Sequence, residues 1–101
     1  MKNCEESKRV GKVVRAKPRQ CYRNALRVVT QVPEYTRADY VEGMAVVDGL
    51  PVEHGWVEID GAILDPTLPT EEVAYFPGLR FRGGLEIAKA LDIALRNVIS
   101  W

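Results

Sequence analysis

Three residue types in this chain suit acyl-transfer chemistry: a cysteine at position 21, the sole histidine at 54 and an aspartate at 65. A cysteine attacks as its thiolate, and a free thiol titrates near ~8.5, so it needs activation. A neighbouring imidazole supplies it and passes the proton to the leaving group. A carboxylate behind the imidazole fixes its tautomer and steadies its charged form. Each residue also has a plain structural reading. Cys21 can be a small buried hydrophobe on a helix. His54 can be a satisfied strand residue, and Asp65 a turn residue capping its own backbone before Pro66. Catalysis by these residues requires that the chain bring the three together.

The hairpin signal decides the question for two of them. Residues 53–59, EHGWVEI, read as a strand and 62–65, AILD, as its return. Asp60-Gly61 between them suits a two-residue type I′ turn, which needs positive φ at both central positions. That turn pairs Ile59 with Ala62, Val57 with Leu64, Trp56 with Asp65 and His54 with Thr67. One face then carries Gly55, Val57, Ile59, Ala62, Leu64 and Pro66, all apolar or small. The other carries His54, Trp56, Glu58, Ile63, Asp65 and Thr67. His54 and Asp65 become diagonal neighbours on one face. A loop of odd length would put Asp65 on the opposite face, and the clean apolar set supports the even register.

Cys21 is placed by a helix. From Arg19 or Gln20, apolar residues at 21, 25, 28 and 29 share a face, with Leu26 beside it. Pro33 forbids continuation, so the helix ends near Thr30 or Gln31. Cys21 falls in the first turn, where unpaired N–H groups and the helix dipole favour an anion. Its backbone N–H can donate to an oxyanion. The second donor is expected to be Gln20, with Tyr22 and Asn24 behind it. Trp56, two residues beyond His54 on the same face, would shield the histidine–aspartate bond from water.

The remaining chain frames these elements. Residues 39–47, DYVEGMAVV, read as a strand, followed by turn signals at Asp48-Gly49 and Pro51. Residues 75–81, YFPGLRF, place Pro77-Gly78 between aromatic flanks and suit a type II turn. After Gly83-Gly84 comes an amphipathic pattern with Ala88, Leu91, Leu95 and Val98 in its stripe. Residues 1–12 are charged and lack periodicity, and read as a loose basic arm. Val13 and Val14 read as a short strand or packing segment.

The motifs resemble a known superfamily. His54-Gly55-Trp56-Val57-Glu58, then Asp60-Gly61, then Asp65-Pro66-Thr67, is similar to the histidine and aspartate motifs of the transglutaminase-like, papain-like cysteine hydrolases. Gln20-Cys21-Tyr22-Arg23-Asn24-Ala25 resembles that superfamily's nucleophile at a helix start, and Tyr40-Val41-Glu42-Gly43 its intervening strand. Gly55 stands where alanine is more familiar. The resemblance covers roughly residues 19–67. It implies an α+β fold: a catalytic helix packed on a small antiparallel sheet, here followed by a C-terminal amphipathic helix. It implies a Cys21–His54–Asp65 triad acting on an amide through a thioester, as peptidase, amidase, deamidase or transamidase. The chain is short for the superfamily, so the cleft is expected to be minimal or completed by another subunit of a homo-oligomer.

Length and composition bound these readings. The chain of 101 residues is 47% hydrophobic, which allows one domain, residues 1–101, with a small core. Its formal net charge is zero, and two cysteines make neither a disulfide framework nor a metal-ligand spacing. No cofactor or metal is expected. With no long apolar run, no membrane association is expected and a cytoplasmic location is the default. Positive charge gathers in residues 1–27, without the aromatic interleaving that marks nucleic-acid binders. Nucleic acid is therefore not an expected partner, and a peptide or amide substrate is. The alternative is a non-catalytic adaptor or inhibitor of the same fold, docking a protein or nucleic acid through that basic segment.

Overall fold

A computed structural model describes residues 1–83 and Ala90. It is a small α+β unit of two α-helices and a four-stranded antiparallel sheet. Helix α1 spans Cys4–Val13 and α2 spans Cys21–Gln31. The strands are β1, Asp39–Val47; β2, Leu50–Ile59; β3, Ala62–Leu64; and β4, Val73–Phe81. Their order across the sheet is β3-β2-β1-β4. The expected C-terminal amphipathic helix lies outside the described residues.

The segment expected to be a loose basic arm is instead α1. Asn3 caps it, its side chain accepting from the Glu6 N–H at 3.0 Å, and Glu5 and Glu6 sit in the first turn. Arg15, with φ of 55°, closes the other end. The Ala16 N–H then reaches the Gly11 carbonyl and the Arg15 N–H the Lys12 carbonyl, a Schellman pairing without the usual glycine. Val13 thus ends a helix and does not begin a strand. Charge hid the amphipathicity: one turn of Ser7 and Val10, with Val14 beyond it, is fully or nearly fully buried among polar neighbours. Before the helix, the Asn3 N–H donates to the Ile63 carbonyl and the Ile63 N–H to the Met1 carbonyl, both at 2.9 Å. The chain start thus pairs in parallel with β3.

Both hairpin turns take the expected form. Asp48-Gly49 and Asp60-Gly61 all have positive φ, between 50° and 77°. Val47 pairs with Leu50 and Ile59 with Ala62. β2 begins at Leu50, so Pro51 lies within the strand and does not mark the turn. β3 ends at Leu64, one residue before Asp65.

Residues 73–81 form one strand, not two extended pieces joined by a type II turn. Pro77 is tolerated because β4 is the edge of the described sheet, and because the β1–β4 register shifts between Glu42 and Gly43. At that bulge the β4 backbone presses on Gly43. A Cβ there would lie 2.3 Å from the Phe76 carbonyl oxygen and 2.8 Å from the Gly78 nitrogen.

The sheet has two distinct faces. On one, Tyr40, Val57 and Leu64 pack with Val10, Val14, Ala25, Leu26, Val28 and Val29 from the helices. The other carries His54, Trp56, Val41 and Ala45, all buried. The even register after Asp60-Gly61 separates the faces as expected.

Gly43→Ala should break the β1–β4 bulge, because the obstructing atoms are backbone. Urea unfolding should show a loss at or above the ~1–3 kcal/mol usual for overpacking. Gly49→Ala meets no atom within 4 Å and faces only an unfavourable φ, so it should cost less.

Candidate active site

Asp65 sits where β3 gives way to a turn, and it is fully buried. Its Oδ1 accepts the backbone N–H of Thr67 at 3.1 Å and of Leu68 at 3.0 Å. Its Oδ2 faces His54 Nε2 at 2.8 Å and accepts the Tyr75 hydroxyl at 2.7 Å. Its own N–H donates to Ser7 Oγ at 3.0 Å, and that hydroxyl donates onward to the Asn3 carbonyl at 2.6 Å. Four donors on one carboxylate leave it neither free to turn nor inclined to take a proton.

His54 is nearly fully buried on β2. A carboxylate only accepts, so Nε2 carries the hydrogen of the His54–Asp65 bond, and Nδ1 is the nitrogen left to act on a thiol. Burial works against the charged imidazolium. The hydrogen bond to Asp65, the neighbouring Cys21 and the Asp65 charge overcome it and raise the pKa from 6.5 to about 9. Burial likewise works against the Asp65 carboxylate, and His54, Tyr75 and the Leu68 N–H together hold it below its ordinary range. Trp56 is fully buried beside them. Its ring stacks with His54 at 6.1 Å between centroids, tilts on Tyr75 at 4.9 Å, and its Nε1 donates to Glu58 at 2.8 Å.

Cys21 is the first residue of α2, half-buried and free of any disulfide. Gln20 precedes it as the N-cap, exposed, with no side-chain hydrogen bond to the helix. The N–H groups of the first turn have no acceptors within the helix, and Gln20 leaves them uncapped. β3 pairs with β2 only from Val57 to Ile59, so among the described residues no strand flanks His54 on that side. There Asn24 joins the start of α2 to the turn bearing Asp65. Its Nδ2 donates to the Lys17 carbonyl at 2.7 Å and to Thr67 Oγ1 at 2.9 Å, while its Oδ1 accepts the Lys17 N–H at 3.0 Å.

Those bonds use both donors of the Asn24 amide. Asn24 is therefore a clamp between loop, helix and turn, and the expected oxyanion role does not fit it. Tyr22 lies against Gly55, where a Cβ would sit 2.7 Å from its Cδ1. Burial foremost, then the charges of Cys21, Glu42 and Glu53, push its phenol up to about 12. The glycine that stands for alanine in the resembled motif thus makes room for this ring. Comparison with protein-family models, with curated proteins and with solved structures finds no match.

Sequence reasoning missed Ser7 and Tyr75. Neither belongs to the motif segments: Ser7 reaches Asp65 from 58 positions away, and Tyr75 from a different strand, β4. The basic segment is partly consumed internally. Lys2 Nζ donates to the carbonyls of Leu68 and Glu71, and Arg9 pairs with Glu6 and Glu34. No group of three or more His, Cys, Asp or Glu side chains among the described residues is placed to hold a metal ion. No helix among them is long and apolar enough to cross a membrane.

The ion pair gives stability a defined pH dependence. The His54 pKa is raised, so its contribution is complete below pH 6.5 and is lost as pH rises through about 9. The Asp65 pKa is lowered from 3.8, so its contribution is present above that value and is lost as pH falls through the lower, folded one. Asp65→Asn should cost about 3 kcal/mol between pH 3.8 and 6.5 by urea unfolding. The gap to wild type should narrow as pH approaches 9. A gap that widens there would contradict the assignment.

Proposed function

We propose that the protein is a cysteine-dependent hydrolase or acyltransferase acting on an amide, with a transglutaminase-like, papain-like arrangement of Cys21, His54 and Asp65. The observation that carries this reading is the buried His54–Asp65 pair with Cys21 acting on the same imidazole from the first turn of a helix. The motif resemblance over residues 19–67 supports it independently of the geometry.

With its pKa near 9, His54 holds its proton at neutral pH. It therefore enters the reaction as imidazolium, ready to act as an acid. The Cys21 sulfur attacks the carbonyl carbon and an S–C bond forms. The carbonyl oxygen takes the negative charge near the Cys21 N–H, with the exposed Gln20 amide as the second donor. The C–N bond then breaks as His54 delivers its proton to the leaving nitrogen. A thioester remains. Water or an amine gives a proton back to the imidazole and attacks, and the C–S bond breaks to release acid or a new amide and free the Cys21 sulfur. Asp65 stays ionised throughout and keeps the imidazole's tautomer. Trp56 covers one face of that ring and keeps water from the Nε2–Oδ2 bond.

The two cysteines provide an internal control. Near neutral pH, iodoacetamide should modify Cys21 at least about tenfold faster than the exposed Cys4, as resolved by peptide mass spectrometry. His54→Ala should erase the difference. Equal rates in the wild-type protein would remove the enzyme reading.

A further inference from the structure

Asp65 Oδ2 receives two hydrogen bonds, and only one comes from the triad. The other comes from Tyr75 on β4, the strand farthest from β3 in the sheet. The Tyr75 ring is held by its tilted contact with Trp56 and by the Lys2 ammonium 5.6 Å from its centroid. The same tryptophan stacks on His54. Tyr75 and His54 therefore approach one oxygen atom along two supports that share Trp56. From this geometry we infer that Tyr75 is a positioning residue of the site: its hydroxyl divides Asp65 Oδ2 with His54 and so sets how strongly the carboxylate holds the imidazolium.

The two donors compete for the charge of one oxygen. An ionised carboxylate oxygen that already accepts an O–H donor offers less negative charge to a second donor. The phenol suits this role because it cannot easily ionise. Burial, the Asp65 charge and their hydrogen bond all raise its pKa well above the ordinary tyrosine value. It remains a donor wherever His54 titrates. The groups that could disturb this balance face it from several elements. Lys2 lies over the ring, Glu71 of the β3–β4 connection adds negative charge near the phenol, and the Cys4 thiol of α1 lies close by. His54 from β2 and Cys21 from α2 complete the surroundings of the pair.

The role rests on the triad reading for its catalytic meaning, but not for its test. His54 is the only histidine, so its imidazole signals in a proton–nitrogen NMR titration need no assignment. Tyr75→Phe removes the hydroxyl and keeps the ring on Trp56. The His54 midpoint should move upward, because Oδ2 is left to the imidazolium alone. The alkaline limb of the Cys21 alkylation profile should move in the same direction. Tyr75→Leu, which loses ring and hydroxyl, should shift the midpoint as well and lower thermal stability further. An unmoved His54 midpoint in a folded Tyr75→Phe protein would overturn the inference and leave Tyr75 as packing. If Cys21 proved unreactive in wild type, the alkylation arm would report failure of the triad reading. The NMR arm would still decide the role of Tyr75.

Discussion

The fold converges on a buried carboxylate. An ionised group away from water is costly unless every lone pair is occupied, and Asp65 has a donor for each. Those donors come from its own turn, from β2 and from β4, while α1 holds its backbone through Ser7. No local segment could assemble that set. The sheet order brings the Tyr75 and His54 donors to this residue, the pairing of the chain start brings Ser7 to its N–H, and the Asn24 clamp fixes the turn that bears it.

The same constraint couples stability to the geometry of the candidate site. The donors that make burial tolerable also orient the imidazole, so the site does not sit on an independent scaffold. Tyr40 shows a second, milder case. It is buried in the core yet donates to Glu42 at 2.6 Å, which keeps a carboxylate on the sheet face beside α2. Arg80 does likewise for Asp39 and Glu58, and Glu58 in turn receives the Trp56 indole. Polar groups along the sheet are thus satisfied in chains of side chains.

What could be read in the sequence was what depends on short-range rules. Asp-Gly turns need positive φ, strand faces alternate, and a proline ends a helix. Those rules gave β1, the β2–β3 register, the span of α2, and the proximity of His54 to Asp65. The first helix escaped because its buried stripe is one serine and two valines set among charged residues, which defeats a search for apolar periodicity. The Pro77-Gly78 pair misled because it usually marks a turn. Here it relieves a bulge at a strand edge, a choice made by Gly43 on the neighbouring strand. Ser7 and Tyr75 carried no signal at all, since a serine in a helix and a tyrosine in a strand are ordinary. Only tertiary structure distinguishes them. The glycine at 55 looked a minor departure from alanine and instead makes space for Tyr22.

The parallel pairing of the chain start with β3 also sets an order of assembly. Residues 39–59 form a hairpin whose contacts are close in sequence and can form early. Helix α1 packs on α2 and pairs with Glu34, but its backbone and Ser7 ties reach residues near Ile63 and Asp65, about sixty positions later. On a growing chain those later ties must wait until the second hairpin has emerged, the Ser7–Asp65 bond among them. A chain halted before β3 would carry His54 but not the carboxylate that holds its imidazole, so the buried pair forms only once most of the described fold is present.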